Sequence, residues 1–241
     1  MDCVKGKREM QALKEKMFQF EFCNRQSAVF LTAYLVLLLI LMGYPDTCGA
    51  VCCELNEPED DVAKFFPEST GFKAYYVSID QKGGEPLLAK IEKRLGDKFR
   101  GFYETIDLPY SIYDIFSKEK KIGYINGVTQ KGQFGSIQVF LALDLEGRIR
   151  GFYLQKMTNK HARKFRDANF GKQFIGLILK DFDSYDVISG KASGKVQTIK
   201  NPAPEAEADF RAILRATKKN LILMDEFVYL PQSVSASPGG T

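Results

Sequence analysis

The chain has a single histidine, His161, and no cysteine beyond Cys53. One histidine excludes a histidine-rich metal centre or a bis-histidine haem within one subunit. All five cysteines (Cys3, Cys23, Cys48, Cys52 and Cys53) precede Phe65, so the body that follows is not a disulfide scaffold. Neither a C-x-x-C pair nor a C-x-x-C-H haem site occurs. A nucleotide P-loop, a dinucleotide G-x-G-x-x-G, a Ser-His-Asp set and persuasively spaced carboxylate pairs are absent as well. The net charge of +4 is too small to argue for nucleic acid, and no RNA- or DNA-reading motif is present.

Charge is missing altogether from Gln26 to Pro45, where the centre reads AVFLTAYLVLLLILMGY. An apolar run of about 18 to 20 residues is what a helix needs to cross a bilayer. Residues 27–45 therefore read as a transmembrane helix or signal anchor, with a cleaved secretory signal as the rival, since Cys48-Gly49-Ala50 supplies small residues for a cleavage site. A lipoprotein acylated at Cys52 or Cys53 is the weaker third reading. Lys5, Lys7, Arg8, Lys14, Lys16 and Arg25 lie before the run, and Asp46, Glu54, Glu57, Glu59, Asp60 and Asp61 after it. Basic flanks stay cytoplasmic. Residues 1–26 are thus a basic cytoplasmic segment, 46–64 an acidic linker broken by Pro58, and the body an extracytoplasmic domain.

That domain is expected over 65–230, followed by a disordered tail over 231–241. Lys73–Ile79 alternates aromatic and β-branched residues, as a strand does. Pro86 to Leu95 reads as a helix closed by Gly96. Strands follow in IYDIF and KIGYINGV. SIQVFLALD and IRGFYLQKM then form a hairpin, and the first arm is apolar on both faces, which places it inside the sheet. Phe170, Phe174, Ile178 and Phe182 recur every four residues, so one long helix is expected from His161 to Lys180. Another is expected over Pro204–Asn220, acidic at its start and basic at its end, with LILMDEFVYL closing the sheet as a strand. The fold class is α+β: a twisted, mainly antiparallel sheet with packed helices.

Within Lys120–Met157, a Gly123-Tyr124 strand end leads to a Lys131-Gly132-x-x-Gly135 loop. An Asp144-x-x-Gly147 turn and a strand opening Ile149-x-Gly151 follow. With the early Phe66-Pro67, this pattern resembles the FMN-binding domain family, which includes flavin-bearing subunits of the sodium-translocating NADH:quinone oxidoreductase and of the Rnf electron-transport complex. The likeness covers roughly Phe65 to Leu230. It implies a membrane-anchored electron-transfer subunit of a redox complex, partnered by other subunits and the lipid bilayer. It also implies FMN held at a Ser-Gly-Ala-Thr motif, which in some members carries the flavin covalently on a later threonine.

Here the matching stretch is VISGKASGKVQT, Val187–Thr198. Ser189 and Gly190 fit the motif, Lys191 and Ala192 replace Ala-Thr, and Gly194 stands where the acceptor threonine belongs. Glycine has no hydroxyl, so a covalent bond there is chemically impossible, and noncovalent FMN is the expectation. Its phosphate would be met by Ser189, Gly190 and Ser193, with Lys191 and Lys195 as cations. By position, His161 matches a family histidine near the flavin, although the accompanying glutamate is missing. The basic run of Lys160, Arg163, Lys164 and Arg166 around it reads as a dock for an acidic redox partner or lipid headgroups, or as a solvated helix face. The alternative is a flavin-free structural or docking subunit that keeps the fold.

Overall fold

The computed structural model describes residues 53–231. The expectations for the basic segment, the apolar run, the start of the acidic linker and the tail from residue 232 lie outside the described residues. Among the described residues no helix is long and apolar enough to cross a membrane.

Five strands form one open antiparallel sheet in chain order: β1 (Gly71–Val77), β2 (Tyr110–Ser117), β3 (Lys120–Lys131), β4 (Ser136–Leu143) and β5 (Ile149–Met157). The β4–β5 hairpin turns on Asp144, whose Oδ1 accepts the N–H groups of Glu146 and Arg148 at 3.0 and 2.8 Å, while Gly147 takes a φ of 79°. Both faces of β4 are buried, as an internal strand requires.

Alternation along β3 sorts its side chains onto two faces. One face meets the incoming chain, residues 53–66, including helix α1 (Pro58–Phe65). There a Cβ on Gly123 would stand 2.5 Å from Phe66, and one on Gly127 would stand 2.8 Å from Cys53. On β5, a Cβ on Gly151 would meet Phe65 at 2.2 Å. Two glycines of the family-like pattern, Gly123 and Gly151, thus admit aromatic rings against the sheet. Pro58 is the first residue of α1, so the acidic segment read as a linker turns helical midway. Cys53 is buried, its Sγ 2.7 Å from Thr129 Oγ1, which does not suit acylation of the folded domain at that residue.

The other face of β3 (Tyr124, Asn126, Val128 and Gln130) looks toward the last helix. A 3-10 turn over Pro204–Ala206 opens it. Between β1 and β2 lie α2 (Ile79–Lys82), entered through a Ser78–Gln81 capping box, and α3 (Gly84–Leu95), ended by Gly96 at φ 81°. After β5 come α4 (Ala162–Phe165), α5 (Ala168–Lys172), a 3-10 turn (Leu179–Phe182) and α6 (Gly194–Gln197). The long helix is α7 (Glu207–Met224), followed by a π-helical turn over Asp225–Tyr229.

Two expectations fail here. The helix from His161 to Lys180 is broken into α4 and α5. Asp167 caps α5 through the Asn169 N–H, and Gly176, at φ 84°, turns the chain so that it pairs with the start of β5. The Gly176 N–H donates to the Ile149 carbonyl at 2.8 Å, and the Ile149 N–H to the Leu177 carbonyl at 2.9 Å. The four-residue recurrence still reports burial: Phe170, Phe174 and Phe182 are in the core, although Ile178 is only partly covered. LILMDEFVYL forms no strand. It continues α7 and its π turn; Leu221–Met224 is buried throughout, and an apolar run of that kind carries no period that separates helix from strand.

Helix α7 is covered around most of its circumference, so its polar side chains need partners inside the protein. Lys219, at 0% exposure, donates to Glu104 Oε1 and to the Thr129 carbonyl, each at 2.8 Å. Arg215 donates to both oxygens of Glu104, to Gln130 Oε1 at 2.7 Å and to Asp97 Oδ2 at 3.1 Å. At the far end Lys90 and Arg94 of α3 grip Glu226, and Arg94 also grips Asp225.

Burial opposes ionisation of Glu104, but Lys219 and Arg215 outweigh it and hold its carboxyl below the usual range. A depressed carboxyl pKa contributes stability that is present above the unfolded value, about 4.3. That stability is lost as pH falls through the lower, folded value. Glu104→Gln should therefore lower stability near neutral pH by about 3 kcal/mol, because it strands buried cations. It should also flatten the acid limb of the stability curve below about pH 4.3. Denaturant unfolding from pH 3 to 7 reads both effects (roughly the interval over which carboxyl groups titrate). An unchanged acid limb would show that Glu104 is not the group responsible.

Candidate functional site

The stretch from Asp186 to Thr198 leaves the core at Tyr185 and returns through Val196 and Ile199. From below it is held by α7: Lys218 Nζ donates to the Tyr185 carbonyl at 2.9 Å, and the Arg211 guanidinium donates to the Ile188 carbonyl. Gly190 adopts a φ of 76°, and a Cβ there would stand 2.6 Å from Arg211 Nε, so both the turn and the close approach require glycine.

The donors of this loop face inward on Asp186. Ile188 N–H, Ser189 N–H and the Ser189 hydroxyl donate to the Asp186 carboxylate at 2.9, 3.3 and 2.6 Å. The Gly190 N–H donates to the Asp186 carbonyl at 2.8 Å. The Ser189 hydroxyl, followed by these backbone groups, holds the carboxyl below its ordinary pKa. Amides and a hydroxyl that would suit a phosphate are thus engaged by the chain's own anion. Ser193 precedes α6 without capping it, and its carbonyl accepts from Ser184 Oγ at 2.9 Å. Lys195 is paired with Asp181 at 3.1 Å. In this arrangement the Ser189 and Gly190 donors and Lys195 are engaged within the chain, and Lys191, whose N–H donates to Ser189 Oγ at 3.3 Å, has no carboxylate partner among the described residues.

His161 belongs to a different constellation. Its Nδ1 lies 3.0 Å from Glu205 Oε1, which also accepts from Lys164 Nζ at 2.8 Å, and Lys164 chiefly holds the Glu205 carboxyl below its usual range. Nε2 of His161 is buried and has no hydrogen-bond partner among the described residues. Among the described residues no hydrogen bond or ion pair joins this group to Ser189, Gly190, Lys191, Ser193 or Lys195. The residues expected to share one site therefore fall into two groups.

Beside His161 a cleft of about 780 Å³ opens between α4, α5 and the strap at 200–202. Arg163, Lys164 and Lys200 supply positive charge and Asp167 a carboxylate, Asn169 and Gln173 supply amides, and Phe170 and Pro202 supply apolar wall. Among the described residues neither Arg163 nor Lys200 has a carboxylate partner, whereas Lys164 is paired with Glu205. Gln173 fixes the strap, exchanging hydrogen bonds with the backbone of Lys200 at 2.7 and 3.3 Å. The volume lies in the range of small-molecule and cofactor sites. Two cations without carboxylate partners, set beside amides and an aromatic wall, outnumber the one carboxylate of the lining, Asp167, whose Oδ1 accepts the Asn169 N–H, and suit a phosphate-bearing aromatic cofactor. Arg163 and Lys164 belong to the basic run that the sequence offers as a dock for a partner or lipid headgroups, and Lys200, Asn169 and Gln173 join them only because the helix breaks and the strap folds back. Tyr110, Tyr113 and Tyr124 are core residues, and Tyr124 packs edge-on against Tyr229 with centroids 5.6 Å apart.

No family model and no curated relative matches the chain. Its fold is similar to that in the crystal structure of Shewanella oneidensis NqrC, with a TM-score of 0.50 and 14% identity over 75% of this chain and 90% of that one.

If the carboxylate of Asp186 holds its loop, Asp186→Ala should speed amide exchange at Ile188 and Ser189 by a few-fold to about tenfold, the effect of losing a hydrogen bond to a surface turn. Exchange mass spectrometry reads this directly. Unchanged rates would mean the turn is held by Arg211 instead.

Proposed function

We propose that this chain is a membrane-anchored, extracytoplasmic electron-transfer subunit of a membrane redox complex, and that it holds FMN noncovalently in the cleft between α5 and the strap at 200–202. The observation that carries the reading is the pair of cations without carboxylate partners, Arg163 and Lys200, in a cofactor-sized cleft. The shape shared with NqrC and the motif likeness over Lys120–Met157 support it. Bound FMN supplies one- and two-electron transfer, and the protein binds, orients and tunes it. Arg163 and Lys200 meet the phosphate charge, Gln173 positions Lys200 through its backbone, and Phe170 with Pro202 form the apolar wall. The self-filled loop at Asp186 favours a second reading, a flavin-free docking subunit that retains the fold.

Full-length protein from a flavin-replete host should show flavin absorption that moves to the supernatant on acid precipitation. Arg163→Ala/Lys200→Ala should weaken FMN binding about 100-fold, the effect of losing two charge-assisted contacts. A colourless wild-type protein that takes up no added FMN would overturn the reading in favour of the docking subunit. Flavin that stays in the pellet, with matching added mass, would place it covalently on a hydroxyl instead.

A further inference from the structure

Strand β5 is an end strand of the sheet, and its edge is covered only in part. At its start, Ile149 exchanges backbone hydrogen bonds with Gly176 and Leu177. Near its end, Arg166 donates to the carbonyls of Leu154 and Gln155, each at 3.1 Å. Between these closures, along Arg150–Leu154, the strand borders a second cleft of about 420 Å³, formed with the end of α1 and with α5. Helix α5 is the ridge between the two clefts. Its Ala168, Gly171 and Lys172 line this one, and its Asn169 and Phe170 line the other.

The lining is one-sided in charge. Lys64, Arg150, Arg166 and Lys172 line it with one carboxylate, Asp167, whose Oδ1 already accepts the Asn169 N–H at 2.8 Å, and Asp61 of α1 lies close enough to act on Lys64 and Tyr153. Lys64 rests over the Tyr153 ring at 4.8 Å, and Arg150 pairs with the exposed Glu68 at 2.8 Å. The apolar lining includes Phe65 and Tyr153, and Ile175 stands 46% exposed at the rim. An accessible strand edge accepts an added extended chain through backbone hydrogen bonds, while flanking side chains choose the sequence.

We propose that this cleft docks an acidic, extended segment of a partner protein, which lies along the edge of β5 with its carboxylates against Lys64, Arg150 and Lys172. The charge of the lining selects an acidic occupant, and the strand edge selects an extended one. The inference rests on the reading of the chain as a complex subunit, and it places the partner one short helix away from the cofactor cleft.

The test uses the full chain in zwitterionic nanodiscs and a fluorescein-labelled decapeptide alternating glutamate with valine or threonine, followed by anisotropy. The peptide should bind with affinity that falls as salt rises. Lys64→Glu/Lys172→Glu should weaken it at least about tenfold while leaving flavin content and melting temperature unchanged. N-methylation of alternate peptide amides should also weaken binding. Arg163→Ala/Lys200→Ala, which empties the cofactor cleft, should leave peptide binding intact, so the two readings fail separately. Equal binding of a lysine-substituted peptide, or wild-type affinity in the charge-reversed variant, would overturn the proposal. Peptide indifference combined with tighter association to anionic nanodiscs would overturn it in favour of a lipid headgroup.

Discussion

Buried charge on α7 sets the terms for the rest of the domain. Lys219 has no access to water, and Arg215 has little, so folding is tolerable only if Glu104 arrives from the loop between α3 and β2 to meet both. The same cluster takes in Gln130 and the Thr129 carbonyl of β3, which fixes the rotation of the helix on the sheet. With the helix so oriented, Lys218 and Arg211 point to the 185–188 segment, and Asp209 accepts from Gln133 in the β3–β4 turn and from Asn159 after β5. One ion cluster therefore positions both the self-filled loop and the segment that leads to the cleft at Arg163 and Lys200.

Much of the sheet was legible because its strands alternate or are continuously apolar between turn residues. The Asp144-Gly147 turn, the β4–β5 hairpin and the internal place of β4 follow directly from that pattern. The end of α7 was illegible for the opposite reason. Leu221–Met224 is buried all round, and apolar runs without periodicity do not distinguish strand from helix. The aromatic recurrence from Phe170 to Phe182 reported a common core, yet a helix was the wrong inference. Gly176 diverts the chain to complete backbone pairing at Ile149.

The site was legible in part. The motif stretch has the composition of a phosphate loop, and its donors do converge, but on Asp186, the residue just before it. The cleft at Arg163 and Lys200 joins residues distant in sequence, brought together by Gln173 and the turn through Pro202. Likewise the glycines that suggested a flavin-binding hairpin have a packing reason of their own, the seats of Phe65 and Phe66. Family-like residues can thus be retained for packing alone.

Anion recognition, on the proposed reading, has moved from the glycine-serine loop to the cleft across α5. Hydrogen exchange of the full chain with and without added FMN tests that move most directly. Protection should appear over residues 163–173 and 198–202, with no change over 188–195. Protection centred on 188–195 would contradict it, showing that Asp186 yields its donors to the phosphate.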